Sequence, residues 1–364
     1  MEGMRGRPIY GFAWESVRDS DWGDIDPWNT GCGISPDPER TDVLLSLIII
    51  AIGFALLVFG ANFLVDGACN IARRLGMPDR VAGLTIVAIG TSLPELVVSI
   101  TSAAGGHADM AFGNVVGSCL ANLLLILGLS AVIAPVTLSR STQRFEIPVS
   151  VAATALLALF ANTDGQVTLV EGIILLVAFA AFVVRTAVVG LSEGASEKDA
   201  ETEAEDADAD PVAEPLVFRS AIMVVLGIVM LKFGADFVVD NSVEIASALG
   251  ISERIIGITV VALGTCLPEL VTSVVAAFRG NSDIAVGNVV GSNISNLLLV
   301  MGGPALVANI PYDAAYNVDL ALLAIFSLAL VGFAFIGRRH EMSRANGVVF
   351  VVLYAAYIAT SVLR

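Results

Sequence analysis

Apolar residues gather into ten runs separated by short polar breaks. Most runs are about 20 residues long, the length at which an α-helix crosses a bilayer. The runs fall at 43–66, 81–104, 109–134, 146–162, 167–190, 217–240, 255–279, 283–308, 317–337 and 345–363. This pattern predicts an all-α polytopic membrane protein with ten transmembrane helices. An acidic stretch from Glu193 to Glu214 parts the runs into five and five. The expected units are a tail over 1–42, a first five-helix repeat over 43–190, a linker over 191–216 and a second repeat over 217–364.

The two fives are copies. Gly83–Gly128 reads GLTIVAIGTSLPELVVSITSAAGGHADMAFGNVVGSCLANLLLILG, and Gly257–Gly302 reads GITVVALGTCLPELVTSVVAAFRGNSDIAVGNVVGSNISNLLLVMG. They align without a gap at a constant offset of 174 residues, from Gly83 to Gly257 and from Gly128 to Gly302. The same offset aligns 59–77 with 233–251. A half with an odd number of spans ends on the side opposite to where it began, so the second half is expected to lie inverted relative to the first. Inverted-topology repeats are characteristic of secondary transporters, with the substrate site near the midplane between the halves.

Composition agrees with a membrane protein: 56% of residues are hydrophobic and 15% charged, too little charge to cover a soluble domain of 364 residues. The net charge of −16 is concentrated in the first 42 residues and in 193–214. Both segments are expected to be solvated and disordered, and such acidity suits a salt-rich environment. The tail has no continuous apolar run before Thr41, so no cleavable signal peptide is expected. No basic patch interleaved with aromatics is present, which leaves nucleic-acid binding without support. Cys32, Cys69, Cys119 and Cys266 lack the spacing of a disulfide frame or a zinc site. Lys and Arg gather in alternate loops. That bias places both termini outside the cell membrane and the acidic linker inside.

Each repeat carries one carboxylate deep in an apolar run, Glu95 or Glu269. An ionisable group there costs about 2.5–3.5 kcal/mol to insert, so a functional role is the default reading. Pro94 cannot donate to the carbonyl four residues back, that of Gly90, and such bare backbone is tolerated only where it faces protein or a water-filled cavity. Thr91, one turn before Glu95, shares its face, and Ser92 is adjacent. Gly264, Thr265, Cys266, Pro268 and Glu269 repeat the arrangement. On the next helix Asn114, Ser118 and Asn122 form an i, i+4, i+8 stripe, copied by Asn288, Ser292 and Asn296. The expected midplane site offers carboxylates, hydroxyls, amides and free carbonyls. Such a donor set suits hard cations such as Ca²⁺ and Na⁺, and two carboxylates balance one Ca²⁺.

GTSLPELVVS followed by GNVVGS and an asparagine three residues later, duplicated in inverted halves, resembles the α-repeats of the cation/calcium exchanger superfamily, in its prokaryotic sodium/calcium branch. The resemblance covers nearly all of 43–363. It implies ten helices with ions held between the second, third, seventh and eighth. The implied ligands are Ala88, Thr91, Ser92, Glu95, Ser118 and Asn122 from the first repeat, with Ala262, Thr265, Cys266, Glu269, Ser292 and Asn296 from the second. The alanines and threonines would act mainly through backbone carbonyls. Two positions depart from the family pattern. Cys266 stands where serine is usual, and Asn296 stands where some members, including potassium-dependent ones, have aspartate.

The expected function is antiport of Ca²⁺ against Na⁺ by alternating access, with no cofactor and with partners limited to the ions and the lipid bilayer around a monomer. The alternatives are a Ca²⁺/H⁺ antiporter of the same fold and, in a different class, a passive cation channel. An enzyme is not expected, since no nucleophile–base pair or nucleotide motif is visible. Several polar residues read as structural. Asn114 and Asn288 are expected to bridge helices, Lys232 to pair with Asp236 four residues on, and Asp66 and Asp240 to cap helix ends.

Overall fold

The computed structural model describes residues 38–106, 108, 110–202, 217–250, 262–336 and 341–363. The described helices are α1 (Pro38–Arg74), α2 (Asp79–Ala104), α3 (Met110–Ile133), α4 (Thr142–Asp164), α5 (Leu169–Thr202), α6 (Val217–Ala248), α7 (Ala262–Thr265, resuming as Leu267–Phe278), α8 (Ser282–Ala305), α9 (Tyr316–Ile336) and α10 (Arg344–Leu363). Eight of them are long and apolar enough to cross a membrane, whereas the apolar stretches Leu267–Phe278 in α7 and Tyr316–Leu330 in α9 are shorter. Asp42–Arg364 forms one compact unit.

Helix ends follow hydrogen bonding more than hydropathy. Left-handed glycines close several helices, among them Gly76 (φ 68°) after α1 and its copy Gly250 (φ 74°) after α6, a conformation that a β-carbon disfavours. Both helices therefore run eight residues past the ends expected from apolarity, to Arg74 and Ala248. This corrects the reading of Asp66 and Asp240 as end caps: each lies inside its helix. A second correction concerns the linker. Helix α5 continues to Thr202, into the acidic stretch expected to be disordered, and Glu193 Oε2 pairs with Arg80 Nη2 at 2.7 Å. Residues 1–37 and 203–216 lie outside the described residues.

Burial sorts the helices. The most apolar window of α8 is 94% buried, against 22% in α1 and in α5 and 17% in α10. Thus α8 is the centre of the bundle, while α1, α5 and α10 turn residues such as Leu47, Val177 and Val352 outward. An apolar exterior around a buried polar interior is what a lipid solvent demands. The chain is a multi-pass membrane protein.

Glycines set the closest crossings. A β-carbon at Gly53 would stand 2.9 Å from the carbonyl oxygen of Gly234, and one at Gly60 2.9 Å from that of Gly227. Gly67 meets Ser220 in the same way, at 2.8 Å. Helices α1 and α6 therefore cross antiparallel with their backbones nearly touching. In the interior, Gly287 and Gly291 of α8 lie against Gly83, Leu84 and Ala88 of α2.

Two short ribbons join the repeats. Val136 and Thr137 (β1) pair antiparallel with Met342 and Glu341 (β4). Gln166 and Val167 (β2) pair with Pro311 and Ile310 (β3). Val136 maps onto Ile310, and Val167 onto Glu341, at the 174-residue offset. Each ribbon is thus the counterpart of the other, and each takes one strand from either repeat.

Candidate functional site

Helices α2 and α7 bring Glu95 and Glu269 into the interior, where they are 2% and 0% exposed. Ser92 Oγ donates to Glu269 Oε1 at 3.5 Å, a long bond made across the repeats. Both carboxylate oxygens of Glu95 and Oε2 of Glu269 are buried with no hydrogen-bond partner among the described residues. A buried carboxylate left without a donor or counter-charge is strongly unfavourable, so these oxygens call for a cation or a proton.

The polar shell is assembled across the halves. Thr91 Oγ1 lies 3.2 Å from two acceptors, the Ala88 carbonyl and Asn288 Oδ1, and 3.4 Å from Ser292 Oγ, which can accept or donate. Asn288 Nδ2 donates to Ser273 Oγ at 2.8 Å and to the Glu269 carbonyl at 3.2 Å. Its counterpart Asn114 donates to Ser99 Oγ at 3.1 Å. Both asparagines bridge neighbouring helices, as expected. Ser118 and Ser292 are buried on the same stripes. Asn122 and Asn296 are fully buried, and neither amide has a partner for its nitrogen or its oxygen among the described residues.

The backbone departs from α-geometry at these residues. Helix α3 takes π-type turns over Ala121–Ile126, beginning beside Asn122, and α8 does so over Asn296–Val300, beginning at Asn296. Such turns shift the hydrogen-bond ladder to i→i+5 and are frequent at functional sites. Helix α7 breaks at Cys266 (φ −89°, ψ 2°), and Pro268 falls in the first turn of the resumed helix, where its missing N–H is harmless. The Cys266 thiol is buried, 3.9 Å from Thr265 Oγ1. Ala262 is the first described residue of α7.

Glu269, Thr91, Ser92, Asn288 and Ser292 are thus joined by contacts across the repeats, and Glu95, Ser118, Asn122, Cys266 and Asn296 are buried on the same or flanking elements. Sequence reasoning missed Ser99 and Ser273. Their signal was present, since serine recurs there at the 174-residue offset.

The sodium/calcium exchanger protein family matches residues 45–188 and 219–363, each match covering one repeat. The chain belongs to this family. The exchanger resembles the sodium/calcium exchanger MaX1 of Methanosarcina acetivorans, with 32% identity over 353 residues, covering 87% of this chain and 98% of that protein. It resembles the inner membrane protein YrbG of Escherichia coli, with 35% identity over 300 residues, 79% of this chain and 89% of that protein. A solved structure of the sodium–calcium exchanger NCX_Mj, soaked with zero Na⁺ and Ca²⁺, is similar with a TM-score of 0.74 and 33% identity, covering 88% of this exchanger and 100% of that chain.

Proposed function

We propose that the exchanger moves Ca²⁺ across the cell membrane in one direction against Na⁺ in the other, by alternating access. The observation that carries this reading is the pair of buried carboxylates, one from each repeat, whose free oxygens face a shell of hydroxyls and amides. Glu95 and Glu269 neutralise a bound Ca²⁺. Thr91, Thr265, Ser92, Ser118, Ser292, Asn122 and Asn296, with the carbonyls of Ala88 and Ala262, supply the remaining oxygens, and Cys266 stands beside them. Na⁺ ions compete for overlapping oxygens. Turning over an empty site would carry two unbalanced charges through the bundle, and that cost couples the two fluxes.

The topology we propose is ten membrane crossings in two inverted repeats. The paired strands support it, because each ribbon requires its two loops to lie on one face. Residues 134–141 and 341–343 then share one face, and loops 165–168 and 306–315 share the other, as ten crossings require. The distribution of Lys and Arg supports termini on the outside.

The test is ⁴⁵Ca²⁺ uptake by proteoliposomes holding the purified chain, loaded with Na⁺ or with acidic buffer. Uptake driven by the Na⁺ gradient and insensitive to the pH gradient is the expected result. Uptake driven by the pH gradient alone would replace Na⁺ with H⁺, and flux without either gradient would make the protein a channel.

A further inference from the structure

Along its second half, α6 carries Lys232, Asp236, Asp240 and Glu244, each four residues after the last and so on one face. The same positions of α1 are Val58, Asn62, Asp66 and Asn70. Lys232 is therefore a cation that the first repeat lacks. Its ammonium bonds both carboxylate oxygens of Asp236, and the two side chains are 38% and 39% exposed. Asp240 follows Asp236 by one turn on the same face.

Contacts of the neighbouring helices fix the height of Lys232. Helix α1 is antiparallel to α6 at the glycine crossing, and the short turn at 75–78 reverses the chain into α2, so α2 and α6 run the same way. Ile228 lies on Gly90, where an added β-carbon would meet its Cδ1 at 3.0 Å. Lys232 follows Ile228 by four residues, and Glu95 follows Gly90 by five, rises of about 6 Å and about 7.5 Å. The opposite wall agrees. Val239 lies on Gly264, and α7 runs back toward the start of α6, because Arg279 at its end bonds Asp66 beside the Gly67–Ser220 crossing. Lys232 precedes Val239 by seven residues and Glu269 follows Gly264 by five, about 10 Å and about 8 Å along the axes. Lys232 thus stands level with the two carboxylates.

We propose that Lys232 is a tethered counter-charge of the cation site, held in check by Asp236, whose field lowers the site's affinity for cations and does so more for Ca²⁺ than for Na⁺. The proposal rests on Glu95 and Glu269 being the ion site. A fixed positive charge acts on a bound ion in proportion to that ion's charge, so the factor for Ca²⁺ is the square of that for one Na⁺. Asp236 supplies the opposing charge, and removing either partner shifts affinity in opposite directions.

The experiment compares Lys232→Gln, Asp236→Asn, the double variant and Lys232→Arg by ⁴⁵Ca²⁺ and ²²Na⁺ binding to the purified full-length chain, with Glu95→Gln as reference. Lys232→Gln is expected to tighten Ca²⁺ binding about 10-fold and Na⁺ binding about 3-fold. Asp236→Asn should weaken both, the double variant should return near the starting values, and Lys232→Arg should leave them in place. A purely structural ion pair predicts instead that both single variants weaken binding and lower the Tm together. That outcome, or equal factors for Na⁺ and Ca²⁺, overturns the proposal. Should Lys232→Gln fail to fold, Asp236→Asn decides, since tighter or unchanged Ca²⁺ binding there, or equal weakening of Ca²⁺ and Na⁺ binding, overturns the proposal equally. Unchanged affinities in the Lys232 series while Glu95→Gln abolishes binding would remove the counter-charge alone. Retained Ca²⁺ binding in Glu95→Gln would remove the site itself.

Discussion

The two motifs are nearly the same sequence in two different conformations. In α2 the helix Ala88–Ala104 runs unbroken through Pro94, and Glu95 has no hydrogen-bond partner among the described residues. In α7 the helix stops at Cys266 and resumes before Pro268, and Glu269 receives the hydroxyl of Ser92. The ends of these helices differ as well. Arg279, closing α7, bonds Asp66 and Asn62 of α1, whereas its counterpart at the end of α2 is Gly105, which has no side chain to reach Asp240. Near-identical sequences held in unlike states within one chain make the two ends of the bundle unequal. An alternating-access carrier works by exchanging such states between its repeats.

The strongest way to break this comparison is to remove the charge from either half. Glu95→Gln and Glu269→Gln are each expected to lower Na⁺-driven ⁴⁵Ca²⁺ uptake by about 100-fold or more, because a single carboxylate leaves a buried divalent ion half compensated. The purified variants should keep a monodisperse elution profile. Undiminished uptake in either would mean that the halves do not share one ion.

Asparagine removal sharpens the comparison at the level of stability. Asn288 donates two bonds in the buried interior, while Asn114 is half-buried and donates one to Ser99. Asn288→Ala should cost about 1–3 kcal/mol and Asn114→Ala about 1 kcal/mol, read as the order of their Tm values in detergent. A reversed order would show that the first motif, not the second, is the tighter half.

Cys266→Ser makes the second motif match the first, where Ser92 stands. A hydroxyl is a better ligand than a thiol for a hard cation. The half-saturating Na⁺ concentration should fall by about 3-fold, the scale of one weak polar contact, with a smaller change for Ca²⁺, which draws mainly on the carboxylates. An unchanged Na⁺ dependence would place the thiol's role in packing alone.

The smallest effects belong to the linker. Glu193→Ala should cost less than about 1 kcal/mol, since Glu193 is 39% exposed at its ion pair with Arg80. Deleting 203–214 should leave exchange as it was. Loss of exchange in a normally inserted deletion would assign the acidic segment a role in transport.

Much of this was legible because the repeat doubles each signal. An isolated buried glutamate is ambiguous, whereas Glu95 and Glu269 recur at one offset, each behind a proline, and both are buried. Apart from Ser99 and Ser273, what escaped notice has no local period. Arg80 contacts Ser139, Glu146 and Glu193, residues 59 to 113 positions away, and nothing in the surrounding sequence marks those partners. The two-residue strands are too short to show alternation. The π-type turns beside Asn122 and Asn296 fall in uniformly apolar NLLL runs, where hydropathy says helix but not which hydrogen-bond ladder. The ends of α1, α5 and α6 were misjudged for a related reason: charged residues end an apolar run without ending a helix.

The glycine crossing also bears on ancestry. Gly53 meets Gly234 and Gly60 meets Gly227, while Gly53 corresponds to Gly227 and Gly60 to Gly234. The contact is therefore isologous, the kind that two copies of one shorter chain make around a two-fold axis. The two ribbons have the same property. A shorter ancestral chain that paired with its own copy through these surfaces accounts for this symmetry. Lys232 opposite Val58, Arg279 opposite Gly105 and Cys266 opposite Ser92 are changes of a later kind, because a pair of identical chains has no means of encoding them.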